Sequence, residues 1–532
     1  MAKSDSKKNG KATVYLRYLL GCVVVLTLVG LWYWNSLQPE RVHRQHSNTV
    51  SKEFEYLTRR IDFSLHGDTW LSRKEAEQDL DELEWLLENR YSYLRRKGVD
   101  YKAALDSIRG SLGSGINRSS FGYQLVKFIA LFGDGHSRVA SSSVRPKSLC
   151  SMFLPFLVEE SDGGLVAFKL DRSAFIDPNF PFLRGMDGLP ANTWLKAAGQ
   201  WVARGSPQYH RYRTIRNFRY VECLRKELGL DKSVSIQVEL ESADGSSTKR
   251  IELPLAKKCP VYGFRPQPEA EIKSLKDARV ERRILQGNIG YLRILVMLNR
   301  PEFLNDLVEA MNHFKDTDGL IIDIRGNVGG SREPLRVLFP FFMAEDEPPK
   351  VLNIAAYRLG HRKDILDARW LYPEDWKGWS SAERAAINQA AKTLKPEWNP
   401  PQSEFSRWHY FVIGPTPKPK YYYYDRPVIV LMDTTNFSAS DIFLGAFRGW
   451  RNVTLMGTTS GGGSGRYQTY RLHHSSINIG MSSMASFQPN GKLYDGNGVQ
   501  PDVIIEPIPT DFIGKTDSVL QAAKNSFRKI KN

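Results

Sequence analysis

Two apolar runs constrain the fold of this chain more than any other feature. Gly319–Ile324 (GLIIDI) and Pro427–Met432 (PVIVLM) carry apolar side chains at successive positions, which indicates strands buried on both faces of a sheet. A strand-like segment, Ile289–Val296, and a segment with helical apolar spacing, Glu302–Phe314, precede the first run. Strand, helix and strand in this order predict a parallel βαβ unit with a right-handed crossover.

The composition is that of an ordinary globular chain. Its 532 residues are 41% hydrophobic and 25% charged, which excludes a disordered, a collagen-like or a polytopic membrane protein. At roughly 100–200 residues per domain, the length predicts about three domains. Lys and Arg exceed Asp and Glu by 74 to 58. Because no long basic run interleaves with aromatic residues, nucleic acid is not an expected partner.

The N-terminus predicts a membrane anchor. Residues 1–17 form a basic leader, and the apolar run that follows, Tyr18–Trp34 (YLLGCVVVLTLVGLWYW), would span about 26 Å as a helix. No small-x-small cleavage site follows, so an uncleaved signal anchor at 18–35 is favoured over a removed signal peptide. The basic leader predicts a single-pass cell-membrane protein whose remaining residues are extracytoplasmic.

The spacing of apolar residues divides the rest of the chain into segments. The predicted segments are a tether at 36–69, an N-terminal helical region at 70–147, a β-rich module at 148–260, an α/β core at 280–510 with an insertion at 357–420, and a C-terminal helix at 511–532.

The cysteines leave two alternatives open. Cys22 lies in the apolar run, and Cys150, Cys223 and Cys259 form no CxxC pair, which excludes a zinc ribbon and a thioredoxin-type motif. The three could give one disulfide and a free thiol, or three buried thiols.

A serine-rich turn follows the second buried run. Thr435–Asp441 (TNFSASD) lies between Pro427–Met432 and a predicted helix. A serine here lies beside the positive end of a helix dipole and its free N–H groups, which favour an alkoxide and the anion formed after its attack. An ordinary helix N-cap is the alternative.

A glycine-rich turn follows the first buried run. Asp323–Gly330 (DIRGNVGG) ends in consecutive glycines, which let backbone N–H groups face a ligand, as an oxyanion hole requires. No Gly-Lys-Ser/Thr sequence follows, so a nucleotide-binding P-loop is excluded. A plain strand-to-helix turn is the alternative.

Two further turns carry a candidate base and a candidate acid. Gly133–Ser137 (GDGHS) places His136 in a tight turn, where a histidine can act as a general base near neutral pH. Tyr494–Asp502 (YDGNGVQPD) offers Asp495, a carboxylate that could orient the imidazole. Taken alone, each segment also fits a surface turn.

The order of these motifs resembles that of the C-terminal processing, or tail-specific, serine peptidases. Their pattern is Asp-x-Arg-x-Asn-x-Gly-Gly, then Ser-Ala-Ser-(Glu/Asp), then Gly-x-Gly-(Val/Ile)-x-Pro-Asp, matched here by Asp323–Gly330, Ser438–Asp441 and Gly496–Asp502. The resemblance covers about residues 70–525. It implies an α/β fold class: a crotonase-like α/β core with an N-terminal helical region and a PDZ-like β-rich module.

This chain lacks the lysine that serves as the catalytic base in the Ser–Lys members of that family. Those members carry a lysine in a Gly-x-Thr-x-Gly-Lys-Gly loop, whereas Gly457–Gly465 (GTTSGGGSG) has none and Gly463 aligns with the lysine. His473 and His474, in a predicted strand after this loop, are the nearest histidines to it along the chain.

A triad-type branch, similar to the tricorn core protease, uses an Asp-Gly-His-(Ser/Thr) histidine and a late acidic residue that tends to be glutamate. The resemblance to that branch implies a catalytic triad of Ser438, His136 and Asp495. It implies that the N–H groups of Gly329 and Gly330 form the oxyanion hole.

The predicted function is a membrane-anchored serine endopeptidase that hydrolyses extracytoplasmic polypeptides. The alternative is a catalytically inactive peptide- or ligand-binding protein on the same fold, because the missing lysine could mark lost activity. No HExxH motif or Cys/His cluster indicates a metal, and nothing indicates an organic cofactor. The expected partners are polypeptide substrates and, through the N-terminal helix, the membrane.

Overall fold

The segment that carries the candidate base is mainly helical. The computed structural model describes residues 69–141, 144, 149–262, 280–360, 369–415 and 421–531. The first helices are α1 Arg73–Arg90, α2 Leu94–Lys97, α3 Tyr101–Gly110 and α4 Arg118–Ala130, and the short strands are β1 Trp70–Ser72, β2 Gly115–Asn117 and β3 Arg138–Val139. β1 and β2 pair antiparallel, and the candidate base lies in the turn between α4 and β3.

A six-stranded antiparallel sheet follows. Its strands pair in the order β4-β5-β6-β8-β9, with a short β7 paired to β6. The bounds are β4 Phe156–Ser161, β5 Gly164–Lys169, β6 Phe182–Met186, β7 Leu189–Pro190, β8 Ser235–Glu241 and β9 Thr248–Pro254, with helices α5 Ala191–Gly199, α6 Pro207–Arg216 and α7 Val221–Leu228. Side chains on the edge strand β9 are largely exposed.

One disulfide lies at this sheet. Cys150 and Cys223 are bonded, and Cys259 keeps its thiol, which donates to the Pro260 carbonyl at 3.8 Å. Of the two alternatives that the sequence left open, the structure therefore contains one disulfide and one cysteine outside it.

The α/β core continues from there. Its strands are β10 Glu281–Leu285, β11 Ile289–Arg293, β12 Gly319–Asp323, β13 Lys350–Tyr357, β14 Tyr372–Pro373, β15 His409–Ile413, β16 Val428–Met432, β17 Val453–Gly457, β18 Tyr467–Arg471, β19 Asn478–Ser482, β20 Met484–Phe487 and β21 Val503–Ile504. Its helices are α8 Pro301–His313, α9 Glu333–Leu338, α10 Ser381–Thr393, α11 Ala439–Phe447 and α12 Ser518–Lys531.

The central sheet has the order β10-β11-β12-β16-β17-β21, and every pair except β10–β11 is parallel. The predicted βαβ unit is present as β11, α8 and β12. Because β12 and β16 are parallel neighbours, the turns that follow them meet at one edge of the sheet. Those two turns carry the glycine-rich and the serine-rich motifs.

Two smaller sheets complete the core. The antiparallel order β14-β15-β13-β20 includes β15, which lies inside the predicted insertion. Its residues are all buried, so this part of the insertion belongs to the packed core. In the order β18-β19-β3, the pairing of Val139 with Ile479 attaches the turn of the candidate base to the core.

The Asp-x-Arg part of the glycine-rich motif is structural. Asp323 is fully buried and pairs with Arg293 and Arg325, at 3.2 and 2.6 Å. Arg325 also pairs with Asp517 at 2.7 Å, just before α12. The paired arginines hold the pKa of Asp323 well below its usual range, although burial opposes them. The motif therefore ties the C-terminal helix to the central sheet.

The prediction of a membrane anchor requires correction. Within the described residues, no helix combines the length and the apolar character that a bilayer crossing requires. α1 has 18 residues, but charged side chains occur throughout it. The single-pass, extracytoplasmic placement and the membrane as a partner are withdrawn on that finding. Residues 1–17, 18–35 and 36–68 lie outside the described residues.

The packing of the C-terminal helix α12 against the central sheet can be tested by substitution. The ring of Phe527, 4% exposed, lies over Gly319, where a Cβ atom would approach it to 2.3 Å. Because it removes this buried ring, Phe527→Ala is expected to lower the free energy of unfolding by about 3–5 kcal/mol. Urea denaturation measures this loss. Arg528→Ala, on the exposed side of α12, is the matched control, and an equal loss in both variants contradicts the packing.

Candidate active site

Ser438 lies in a strained turn between β16 and α11. Its φ of 60° and ψ of −116° are rare for a residue other than glycine, and such strain concentrates at functional positions. A nucleophilic serine at a sharp strand-to-helix turn has this type of backbone. The Ser438 side chain is half-buried. Ser440, in contrast, is buried and its hydroxyl donates to Asn327.

The Asp441 carboxylate holds the loop that lacks the lysine. It accepts the N–H groups of Ser438 and Gly463, at 3.0 and 2.9 Å, and the Ser460 hydroxyl at 2.5 Å. Burial raises the pKa of Asp441 to about 7, against these hydrogen bonds. A Cβ atom on Gly463 would lie 2.1 Å from the Phe437 ring, so no side chain fits there while Phe437 keeps its position. This contact gives a physical reason for the missing lysine.

His136 lies against the residue that precedes Ser438. The ring centroids of His136 and Phe437 are 4.8 Å apart. Asp134, which is fully buried, fixes the turn by accepting the His136 N–H at 2.6 Å and the Ser137 hydroxyl at 2.7 Å. The Nδ1 atom of His136 is buried without a hydrogen-bond partner. The structure therefore places the turn of the predicted base against Phe437, the residue that precedes the predicted nucleophile.

The electrostatic surroundings keep His136 neutral. Burial, with a contribution from the charges of Arg369 and Arg138, lowers the pKa of His136 to about 4, and Asp134 opposes this shift. A neutral imidazole can accept a proton, although so low a pKa makes it a weak base.

Asp495 is held by a lysine. Its Oδ2 atom lies 2.6 Å from Nζ of Lys97, which also donates to the Gly133 carbonyl at 2.8 Å. Burial raises the pKa of Asp495 to about 7, and Lys97 opposes the shift. Lys97 thus joins the turn of Asp495 to the turn of His136. No hydrogen bond joins Asp495 to His136 in the described structure, and the sequence did not reveal Lys97, which lies in a helical Arg-Arg-Lys run.

The alternative histidines lie elsewhere. His473 and His474 are in the turn between β18 and β19, not in a strand. Their backbone N–H groups donate to Glu82 and Asp79 of α1, at 3.0 and 2.8 Å.

The glycine-rich turn approaches Ser438 closely. A Cβ atom on Gly329, whose φ is 97°, would lie 2.4 Å from the Phe437 carbonyl oxygen, so only glycine fits. The Gly329 N–H is already bound to Asn327 Oδ1 at 2.8 Å. The N–H groups of Gly330 and Ala439 form no hydrogen bond within the described residues. Ala439 follows the candidate nucleophile directly, the position that often supplies an oxyanion donor.

Two amide side chains fasten the turns together. Asn436 donates to the backbone carbonyls of Ile324 and Asn327, at 2.5 and 3.2 Å. Asn327 donates to the Ile294 carbonyl at 2.9 Å, and its Oδ1 accepts from Gly329 and Ser440. The Asn of the glycine-rich motif is therefore a positioning residue.

Helix α6 contacts the loop at Ser460, the turn that carries Asp495 and the turn that carries Ser438. The Gln208 amide donates to the carbonyls of Ser460 and Asn497, at 2.7 and 3.0 Å. The Tyr209 ring stacks on Phe437 at 4.8 Å. Within the described residues, no group of three or more His, Cys, Asp or Glu is arranged to hold a metal ion.

The Lys97–Asp495 pair predicts a pH-dependent stability. Because Lys97→Met leaves a buried carboxylate without its cation, we expect a loss of about 3–5 kcal/mol in the free energy of unfolding at pH 8. The loss is smaller at pH 5, since the pKa of Asp495, about 7 and higher without Lys97, leaves the carboxyl protonated. Urea denaturation at both pH values measures it.

The matched control is Lys97→Met combined with Asp495→Asn, which is expected to be more stable at pH 8 than Lys97→Met alone. Equal losses at pH 5 and pH 8 contradict the assignment of this pair.

Comparisons with known proteins indicate similarity to peptidases. Residues 288–505 match the family model described as peptidase family S41. A carboxy-terminal-processing protease of Bartonella bacilliformis is 32% identical over 91 residues, which are 17% of this chain and 21% of that protein. The match thus spans about a fifth of the length of this curated relative.

The crystal structure of mature CPAF has a TM-score of 0.59 and 18% identity, covering 86% of this chain and 96% of that chain. Mature CPAF complexed with lactacystin gives 0.58 and 17%, covering 86% and 98%. At these identities the likeness shows a shared mixed α/β fold. The predicted resemblance to the C-terminal processing peptidases is confirmed by the match of residues 288–505 to peptidase family S41 and by the similarity to the carboxy-terminal-processing protease.

Proposed function

We propose that this chain is a serine peptidase that hydrolyses peptide bonds of polypeptides, with Ser438 as the nucleophile. The observation that carries the proposal is the strained Ser438 backbone at the N-terminus of α11. The match of residues 288–505 to a peptidase family and the likeness to a carboxy-terminal-processing protease support it.

In the proposed mechanism His136 takes the proton of the Ser438 hydroxyl as the oxygen attacks the carbonyl carbon of the substrate. The proton then passes to the leaving amine, and water hydrolyses the resulting acyl-enzyme with His136 again as the base. Gly330 and Ala439 donate their N–H groups to the oxyanion, because Gly329 is already bound to Asn327.

Asp495 is the proposed third member of the triad. To orient His136, its carboxylate must accept a hydrogen bond from Nδ1, the atom that now lacks a partner. Asp495 instead contacts Lys97. Catalytic hydrogen bonds are often formed only when substrate is bound, so we propose that the His136–Asp495 contact forms in the substrate complex.

The Lys97–Asp495 contact favours a second candidate function, that of a catalytically inactive polypeptide-binding protein. A His136 that no carboxylate orients, beside an acid engaged by Lys97, is what a peptidase fold without catalysis would contain.

Covalent labelling separates the two functions. We expect the full chain to react with a fluorophosphonate probe at Ser438, identified by mass spectrometry of the labelled peptide. Ser438→Ala abolishes labelling, and His136→Ala slows it by roughly 10²–10⁴-fold because the general base is lost. Asp495→Asn lowers turnover by up to about 10⁴-fold, since the imidazole tautomer is no longer fixed.

His473→Ala is the matched control and is expected to label like the unaltered chain. A folded chain that never labels at Ser438 favours the binding function. Labelling that survives His136→Ala but not His473→Ala keeps the peptidase and removes this triad.

We also propose that the region around β4–β9 is a PDZ-like module at 148–260, and that the core at 280–510 is crotonase-like. The antiparallel sheet with its flanking helices supports the first, and the parallel central sheet supports the second. β9 is an edge strand with exposed side chains, the geometry that β-augmentation by a peptide uses. The domain boundaries remain those that the sequence predicts.

Hydrogen exchange tests the recognition role. With Ser438→Ala protein and a synthetic mixed-sequence peptide library, the backbone amides from Thr248 to Leu253 should gain protection, because an added strand takes up the free backbone groups of β9. Strands β11 and β12, paired on both sides, are the internal control. Unchanged exchange at β9 while the library binds contradicts β-augmentation at this edge.

A further inference from the structure

A small cavity beside the turn of His136 is rich in arginine. Its volume is about 210 Å³, and the described residues that line it include Arg138, Arg213 and Arg219 but no Asp or Glu. Ser137, which follows the candidate base directly, also lines it. None of these lining residues belongs to the serine-rich or the glycine-rich turn, so the cavity is distinct from the oxyanion site proposed there.

The three arginines form no ion pair within the described part of the chain. Nη1 of Arg213 donates to the Tyr209 hydroxyl at 3.2 Å, and Nε of Arg219 is buried without a partner. The Arg138 guanidinium lies 4.5 Å from the centroid of the Tyr467 ring. Because a hydroxyl and an aromatic ring carry no net charge, these contacts leave three positive charges at one concave surface.

Acids on the neighbouring elements are already engaged. Glu159 of β4 accepts from Arg216 at 2.6 Å, and Glu227 of α7 accepts from Lys127 at 2.7 Å. Asp134 is fully buried and accepts the hydrogen bonds of its own turn. None of the three lines the cavity, so its arginines lack a carboxylate there.

Two of the arginines converge on one ring. Burial raises the pKa of Tyr220, a further lining residue, and the charges of Arg219 and Arg213 oppose this shift. Both guanidinium groups therefore lie near the Tyr220 ring. Like charges held this close repel each other, and a bound anion would turn that repulsion into attraction.

We propose that this cavity binds a phosphate group, supplied by inorganic phosphate or by a small phosphomonoester, and that the bound anion activates His136. The activation rests on the proposed peptidase function and adds a regulator to it. A phosphomonoester carries about −1.5 to −2 charge and three strong acceptor oxygens, which suit three arginines better than the single charge of a carboxylate. The cavity, at about 210 Å³, is smaller than the roughly 300–1,000 Å³ of pockets for drug-sized ligands, which favours a compact anion.

The charge of Arg138 links the cavity to His136. Burial lowers the pKa of His136, Asp134 on the same turn opposes this shift, and Arg369 from the core and Arg138 at the start of β3 add to it. The two arginines thus disfavour the imidazolium that proton transfer from Ser438 creates. A phosphate bound at Arg138 offsets one of these charges and makes His136 a stronger base.

Calorimetric titration tests the site without requiring catalysis. Full-length Ser438→Ala protein is titrated with inorganic phosphate and, separately, with glycerol phosphate, at constant ionic strength in a buffer free of other multivalent anions. Saturable binding of both ligands is expected. Tighter binding of glycerol phosphate identifies a phosphomonoester as the preferred source of the phosphate group, and equal or weaker binding identifies inorganic phosphate.

Arg213→Gln and Arg219→Gln in the same background are each expected to weaken phosphate binding by about tenfold, the contribution of one charge-assisted hydrogen bond. Arg213→Lys, which keeps the charge, should retain part of the affinity. Arg211→Gln is the matched control on the same helix, because Arg211 pairs with Glu160 at 2.7 Å and does not line this cavity. Thermal melting establishes that the variants fold.

Labelling kinetics test the effect on His136. Saturating phosphate is expected to accelerate fluorophosphonate labelling of the unaltered chain at Ser438 by about threefold to tenfold, the effect of up to one unit in the pKa of the base. Arg138→Gln should label faster than the unaltered chain in the absence of phosphate and respond less to its addition, because the opposing charge is already removed. A purely structural Arg138 would produce neither change.

A titration without saturable binding, or binding that survives both Arg213→Gln and Arg219→Gln, overturns the site. Labelling that phosphate slows, or that saturating phosphate leaves unchanged, overturns the activation of His136. Saturable binding to a chain that never labels keeps the phosphate site and contradicts only the peptidase function on which the activation rests.

Discussion

The hydrogen bonds of two buried asparagines fix the separation between the turns on which the candidate site is built. Asn327 and Asn436 each end a buried strand region, and each side chain both donates and accepts. An aliphatic residue would leave buried backbone groups unpaired, and a carboxylate could not donate. With the turns held in this way, the strain at Ser438 persists, and Gly329 lies against the Phe437 carbonyl and the Ala439 N–H.

Features of the site that are local in sequence could be predicted. The runs predicted as Gly319–Ile324 and Pro427–Met432 are strands at Gly319–Asp323 and Val428–Met432, because apolar residues at successive positions report burial on both faces. The resemblance indicated Ser438 and His136, and the structure places them on adjoining turns through Phe437. Local motifs predict which residues a turn presents.

Contacts between distant segments could not be predicted. Nothing in its Arg-Arg-Lys run distinguishes Lys97 as the partner of Asp495. Gly329 and Gly330 look equivalent in sequence, yet only Gly329 donates to Asn327. The five-residue strand His409–Ile413 was hidden in a polar, proline-rich insertion, since a short apolar run has no periodicity of its own. Each of these features depends on the folded neighbourhood of a residue.

The candidate site is assembled from the turn after α4, two turns of the core and the turn before β21, segments far apart along the chain. Contacts of long sequence separation form late in folding, because the entropy of closing large loops must be overcome first. A nascent or partly unfolded chain would therefore present Ser438 without His136. The arrangement around Ser438 is complete only once these distant segments have come together, so the environment of this one side chain reports that the whole chain has folded.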